Sequence, residues 1–179
     1  ASWQDGAVLG TKSDTIYIPG LRLSTNPIEG LNVQGEFAYQ MGNKASTHTD
    51  GVTTRADNQQ REAMGGQFIS SYMLPVLEEY NPVAQFIYTY TSGDHNPDLA
   101  TDRVTTPAST EKWTAWDPFF EAQAGGAIYN SLFDLTNSHI YLVSLQAEPI
   151  EDITTKYSWT GIWLDKKVDR ALKTFFFRD

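Results

Sequence analysis

The sequence predicts an all-β protein, an antiparallel meander of about six or more strands that forms a transmembrane outer-membrane β-barrel or part of one. Three observations predict this fold. Apolar and polar residues alternate with period two in several segments. Short connections between these segments alternate with long ones. Aromatic residues make up 13% of the chain and recur near one end of most segments.

The clearest alternation lies between Pro27 and the polar run that begins at Gly42. One face carries Leu31, Val33, Phe37, Tyr39 and Met41, and the other carries Asn32, Gln34, Glu36 and Gln40. Over ~10 residues this pattern predicts a half-buried strand that is long enough to cross a membrane at a tilt. The polar face is mainly amide and glycine, which is typical of a strand facing a confined, wet interior rather than bulk water.

Six segments rich in Tyr, Phe, Val, Ile and Thr have the composition of strands. The predicted strands are Thr15–Thr25, Leu31–Met41, Arg61–Leu74, Val83–Ser92, Ser138–Glu148 and Ile153–Leu164. Three of the connections are short, and each has Pro at or near its start, where it presets φ and ends a ladder. Two of them share the run Pro-Ile-Glu, which we interpret as a recurring hairpin device.

The other two connections, about 42–60 and 93–137, are long and polar and are predicted to be extracellular loops. Tight turns on one rim and long loops on the other are the plan of an outer-membrane barrel. We therefore expect residues 1–179 to form one β-barrel domain, whole or partial.

The order of the loops also predicts the direction of each strand, so the two faces can be assigned. Five of the six strands place an aromatic residue on the apolar face at the long-loop rim, as a membrane-interface girdle requires. The predicted lipid-facing girdle consists of Tyr17, Tyr39, Tyr88, Tyr90, Tyr141, Trp159 and Trp163. The predicted lumen-lining residues are Arg22, Gln34, Glu36, Gln40, Gln67, Gln85 and Lys156.

The alternative is a soluble β-sandwich or calyx that binds a carbohydrate or an apolar ligand. In that fold the same aromatic residues would point inward and form the core. The opposite face would then meet bulk water and should be charged, yet it is mainly Gln, Asn, Ser and Thr.

Composition restricts the function further. The net charge of -9 argues against nucleic-acid partners, because their phosphates would be repelled. The chain has no cysteine, which excludes thiol chemistry and fits export through an oxidising periplasm.

No residue pattern suggests catalysis. His48, His95 and His139 show no metal-ligand spacing, and no Gly-x-Ser-x-Gly elbow is present, so we expect neither an enzyme nor a cofactor. The acidic run Asp94–Asp102 offers oxygen ligands for Ca²⁺, but a solvated loop is the simpler interpretation.

Two segments carry a family resemblance. Tyr88-Thr89-Tyr90-Thr91-Ser92-Gly93-Asp94 leaves a strand and enters a long loop that later holds Trp116-Asp117-Pro118-Phe119-Phe120. Together with the strand 31–42, these segments resemble the alginate-export family of outer-membrane barrels. The resemblance covers about Thr15 to Leu164. It implies a monomeric barrel in the bacterial outer membrane that passes polysaccharide or small solutes by diffusion.

The chain departs from that family in two respects. Six strands are fewer than the ~8 of the smallest single-chain barrels, so we expect these residues to be part of a longer chain. An alginate pore should be lined with Arg and Lys, whereas the predicted lumen face is mostly neutral. The resemblance therefore does not give the solute. The expected partners are outer-membrane lipid and lipopolysaccharide, a diffusing solute or polysaccharide, and the rest of a longer chain or other envelope proteins.

Overall fold

The structure is a computed structural model that describes residues 14–49, 54–95, 112–118 and 135–167, without the side chains of 45–49 and 54–58. The described residues form one sheet of eight strands and a single turn of 3-10 helix at Glu78–Tyr80. The strands are β1 Thr15–Tyr17, β2 Gly20–Ile28, β3 Leu31–Thr49, β4 Thr54–Met73, β5 Val83–Thr91, β6 Lys112–Trp113, β7 Ser138–Ile150 and β8 Ile153–Leu164. Within these residues, no helix has the length and apolar character needed to span a membrane.

The prediction of an all-β antiparallel meander is confirmed. The order in the sheet is β1-β3-β4-β5-β7-β8, with β2 also paired to β3 and β6 paired in parallel to β4. β1 and β2 correspond to one predicted strand that is interrupted at Ile18–Pro19, where proline cannot donate to the ladder. The sheet is open, and its end strands are β1 with β2 on one side and β8 on the other.

The prediction that 42–60 is a long loop is wrong. β3 and β4 instead continue their ladder from Leu31 opposite Tyr72 to Thr49 opposite Thr54. Beyond Gly42 the apolar alternation stops because polar residues occupy both faces, yet the backbone pairing persists. The period of a sequence reports which side chains are buried, and it does not report which backbone groups are hydrogen-bonded.

The hairpin device predicted from Pro-Ile-Glu is confirmed. The β2–β3 and β7–β8 hairpins both shift register at the proline and then close through an isoleucine, Ile28 opposite Leu31 and Ile150 opposite Ile153. The second turn residue has a positive φ in each case, 76° at Gly30 and 68° at Asp152. The next short connection lies at the same rim, because Met73 N donates to Gly30 O at 2.8 Å.

The register divides the sheet into two faces. The aromatic face holds the residues in phase with Phe37, and the amide face holds those in phase with Gln40. The aromatic face is open: Phe37, Trp159 and Trp163 are 51%, 53% and 52% exposed. The amide face is covered near the long-loop rim, where Gln40 and Arg61 are 0% and 1% exposed. For these residues burial is inverted relative to an ordinary soluble sheet, and the amide face also buries the apolar Ile140 and Leu142.

Candidate functional site

The amide face of β2 and β3 is a chain of side-chain hydrogen bonds. Arg22 Nη2 donates to Gln34 Oε1 at 2.7 Å, and Gln34 Nε2 donates to Asn32 Oδ1 at 2.7 Å. Asn32 Nδ2 continues the chain to Asn26 Oδ1 at 2.7 Å. Glu36, which stands opposite Arg22 in the register, is exposed. These contacts orient the amides along the wall.

The same pattern extends over the next strands. Gln67 Nε2 donates to Thr89 Oγ1 at 3.0 Å, and Gln85 Nε2 donates to Ser71 Oγ at 3.2 Å. Lys156 Nζ lies 3.4 Å from Gln85 Oε1. All seven predicted lumen residues therefore share the amide face, which carries both donors and acceptors. That this face lines a lumen stays a prediction.

A short stretch of the second predicted loop lies against the amide face. We call residues 112–118 the mouth segment. β6, at its start, pairs with β4 so that Trp113 stands beside Arg61. The segment is then fixed to the end of β5, since Trp116 N donates to Ser92 O at 2.9 Å and Ser92 Oγ donates to Thr114 O at 2.8 Å.

Two residues of the wall accommodate the mouth segment. Gly65 provides room for the Trp116 ring, because a Cβ at Gly65 would stand 3.1 Å from it. Gln40 binds the backbone of Asp117 twice: its Nε2 donates to Asp117 O at 2.8 Å, and its Oε1 accepts from Asp117 N at 3.0 Å. Gln40 was predicted to line the lumen, and here it holds the mouth segment.

Four charged side chains surround the same point, and we call them the mouth network: Asp14, Lys44, Arg61 and Asp117. The Asp117 carboxylate accepts from Lys44 Nζ at 2.9 Å and from Arg61 Nη1. The other arm of the guanidinium, Arg61 Nη2, donates to Asp14 Oδ1 at 2.9 Å. Lys44 Nζ also lies 4.0 Å above the centre of the Trp113 ring. The formal charges of the network cancel.

The ionisation of Asp117 is set by opposing effects. Burial alone would raise its pKa, but hydrogen bonds from Arg61 and Lys44 outweigh burial and hold the pKa of the carboxyl below its ordinary value. Asp117 is therefore charged at neutral pH, and the mouth network is electrically balanced.

The aromatic face carries a continuous cluster of rings near the long-loop rim. Tyr88 and Tyr141 lie 4.8 Å apart between ring centroids, and Tyr141 meets Trp163 edge-on at 5.2 Å. Trp159 lies 6.4 Å from Trp163, and Gly161 between them has no side chain to obstruct either ring. These four residues of the predicted girdle are thus in one cluster. Tyr90 is connected to this cluster through His139, whose ring centroid lies 5.0 Å from that of Tyr90. Tyr17 and Tyr39 belong to the same face on β1 and β3.

A polar chain closes this rim. Tyr88 Oη lies 2.8 Å from His139 Nδ1, and His139 Nε2 lies 3.5 Å from Asp165 Oδ1. Asp165 Oδ2 accepts from Gly93 N at 3.0 Å. The chain joins the ends of β5, β7 and β8, which explains the position of His139 at a strand start.

The sequence reasoning missed the mouth network. Arg61 is in phase with Gln67 on the amide face, so alternation could have identified it. Lys44 falls in a predicted loop, and Asp117 enters the sequence analysis only through the family resemblance. Their partners are 56 and 73 residues apart in sequence, which no local pattern reveals.

The other predicted features fall partly outside the structure. Asp98, Asp102, Phe119 and Phe120 are not among the described residues, and neither is the side chain of His48. Asp94 Oδ1 accepts from Thr114 Oγ1 at 3.4 Å. In the part of the chain that the structure describes, no group of three His, Asp or Glu side chains could hold a metal ion.

Comparison of the chain with protein-family models, with curated proteins and with solved structures finds no match.

Proposed function

We propose that this chain forms the wall, or part of the wall, of a passive channel in the bacterial outer membrane. The observation that carries the proposal is the inverted burial. Aromatic and aliphatic side chains are exposed on one face, while the largest fully buried side chains of the described residues are Arg61 and Gln40. A bilayer accounts for the first fact. The second follows from the contacts of Gln40 and Arg61 with the mouth segment, on the face that a polar lumen would occupy.

The dimensions of the aromatic face support a membrane span. Leu31 and Met41 bound the alternating part of β3. At about 3.3 Å per residue these ten steps extend ~33 Å along the strand, and a tilt of ~40° reduces this to ~25 Å across the bilayer. That height matches the apolar band of outer-membrane barrels.

The chemistry of the amide face favours small hydroxylated solutes. Gln34, Gln67 and Gln85 offer donors and acceptors without net charge, so they exchange hydrogen bonds with a hydroxyl and with water at similar cost. The charges of the mouth network cancel. Passage would therefore be diffusive, through a mouth narrowed by residues 112–118, and no cofactor or catalytic step is needed.

Fractionation and electrical recording together test the proposal. We expect the folded protein to need detergent for extraction and to produce discrete current steps in planar bilayers. The soluble calyx makes the opposite prediction, because its aromatic face would be internal and the protein would remain in buffer. A protein that stays monomeric in buffer without detergent and produces no current steps would refute the channel.

A further inference from the structure

Where the mouth segment meets the wall, some polar groups are strongly hydrogen-bonded and other buried polar atoms have no hydrogen-bond partner. Gln40, Lys44 and Arg61 all bind Asp117. In the same region, three buried polar atoms of the described residues have no hydrogen-bond partner: Gln59 Oε1, Arg61 Nε and Trp113 Nε1. The register brings them together, since Gln59 stands opposite Lys44 and Trp113 stands beside Arg61.

These two sets of contacts act in opposite directions. Each buried atom without a partner costs desolvation free energy, which would be recovered if the segment moved away and water entered. The bonds to Asp117 oppose that movement and are charge-assisted, so they are among the stronger ones available. The position of the segment is therefore a balance between two identifiable groups of atoms.

We propose that the mouth segment is a gate with two positions, held closed against β3 and β4 by Asp117. This inference rests on the proposed channel function and adds its regulation. In the closed position Trp116 covers Gly65, and Asp117 binds both Lys44 and Arg61. In the open position the segment leaves the amide face, the three unpartnered atoms are hydrated, and Ala63 is uncovered.

Ala63, which stands opposite Gln40 in the register, provides the readout. Ala63 lies between Arg61 and Gly65 on the amide face and is 0% exposed. The chain contains no cysteine, so Ala63→Cys introduces a single thiol. The rate at which a maleimide labels this thiol in the folded, detergent-solubilised protein measures how often the segment opens.

The test adds Asp117→Asn to Ala63→Cys, with Glu29→Gln as the matched control. Glu29 is exposed in the turn between β2 and β3, at the opposite end of β3 from Lys44, so the control removes an equal charge away from the mouth segment. We expect Asp117→Asn to accelerate labelling by about ten- to hundredfold and Glu29→Gln to change it by less than about twofold. Lys44→Gln should give a smaller acceleration, and it carries the test if the Asp117 variant does not fold.

Single-channel recording of the same proteins separates the gate from the channel. If the gate opens more often, the channel should spend more time at its larger conductance level. Asp117→Asn should raise the ratio of time at the larger level to time at the smaller level by the same factor as it raises the labelling rate. Labelling rates that are unchanged in both Asp117→Asn and Lys44→Gln would overturn the gate, even if the channel conducts. Accelerated labelling without any current steps from the unmodified protein would support the gate and refute the channel.

Discussion

The orientation of the sheet can be tested at two adjacent residues, Val33 and Gln34. They point to opposite faces of β3. Val33 shares its row across the sheet with Phe86, Val143 and Trp159. The rows above and below it also carry aromatic residues, with Tyr88 and Tyr141 on one side and Tyr72 on the other. Val33 therefore lies within the apolar band, two residues along β3 from its Leu31 end.

The magnitude follows from this position. An Arg on the lipid face of a barrel costs about 2–4 kcal/mol of folding free energy at the midplane and about 0–1 kcal/mol near the interfaces, so Val33→Arg, which lies between the two, should cost about 2 kcal/mol. Gln34→Arg stays on the amide face and loses one hydrogen bond to Arg22 and one to Asn32, at a net cost of about 1–2 kcal/mol. Ser158→Arg, on the exposed amide face of β8, should cost less than about 1 kcal/mol.

The assay is equilibrium unfolding by urea in phospholipid vesicles, followed by the fluorescence of the five tryptophans. We expect Val33→Arg to be the least stable variant and Ser158→Arg the most stable. On a water-exposed surface, Val33→Arg would change stability by no more than about 0.5 kcal/mol. Equal tolerance of Arg at Val33 and Ser158 would therefore refute the assignment of the two faces, and the channel with it.

Three further predictions concern local structure. Gly161→Ala should lower stability by about 1–3 kcal/mol because the new methyl meets the Trp159 and Trp163 rings. Gly35→Ala on the same face is the control: its methyl enters open space and should change stability by less than about 1 kcal/mol. Gly30→Ala should cost about 1–2 kcal/mol in the same unfolding assay, since φ is 76° there and a Cβ would lie 3.1 Å from Met73 O. The lowered pKa of Asp117 means that its contribution to stability is present above the ordinary value of 3.8 and is lost as pH falls through the lower folded value. The labelling rate of Ala63→Cys, divided by that of a free thiol at the same pH, should therefore rise only in that acidic range, and Asp117→Asn should remove the rise.

The sequence predicted those parts of the fold in which one face differs chemically from the other. β5 and β8 have nearly the predicted bounds because Phe86, Tyr88 and Tyr90 on β5, and Trp159 and Trp163 on β8, alternate with polar residues. The extension of β3 and β4 beyond Gly42 could not be predicted, since polar residues on both faces leave no period. The mouth network was also beyond prediction, because it joins four separate parts of the chain.

The mouth network also explains why the sequence suggested an almost neutral lumen. Lys44 falls in a predicted loop, and Arg61, at the first position of a predicted strand, was not counted among the lumen charges. These two cations are balanced by Asp14 and Asp117, one from the start of β1 and one from the mouth segment. At this rim the wall is therefore neutral because opposite charges cancel. Where Gln34, Gln67 and Gln85 lie, it is neutral because the side chains carry no charge.

The distribution of apolar residues determines where stability must come from. The buried apolar residues among those described are few, namely Ala63, Ala115, Trp116, Leu135, Ile140 and Leu142. The exposed set is larger and includes Leu21, Leu23, Phe37, Trp159 and Trp163. In water, at about 25 cal/mol per Å² of buried apolar area, the first set would contribute little folding free energy. The second set would remain an exposed apolar surface that promotes aggregation. In a bilayer the second set is solvated by lipid, and backbone pairing satisfies the polar groups that lipid cannot, provided that the open edges at β1, β2 and β8 are also paired. The sheet should therefore be stable in lipid or detergent and aggregate in buffer.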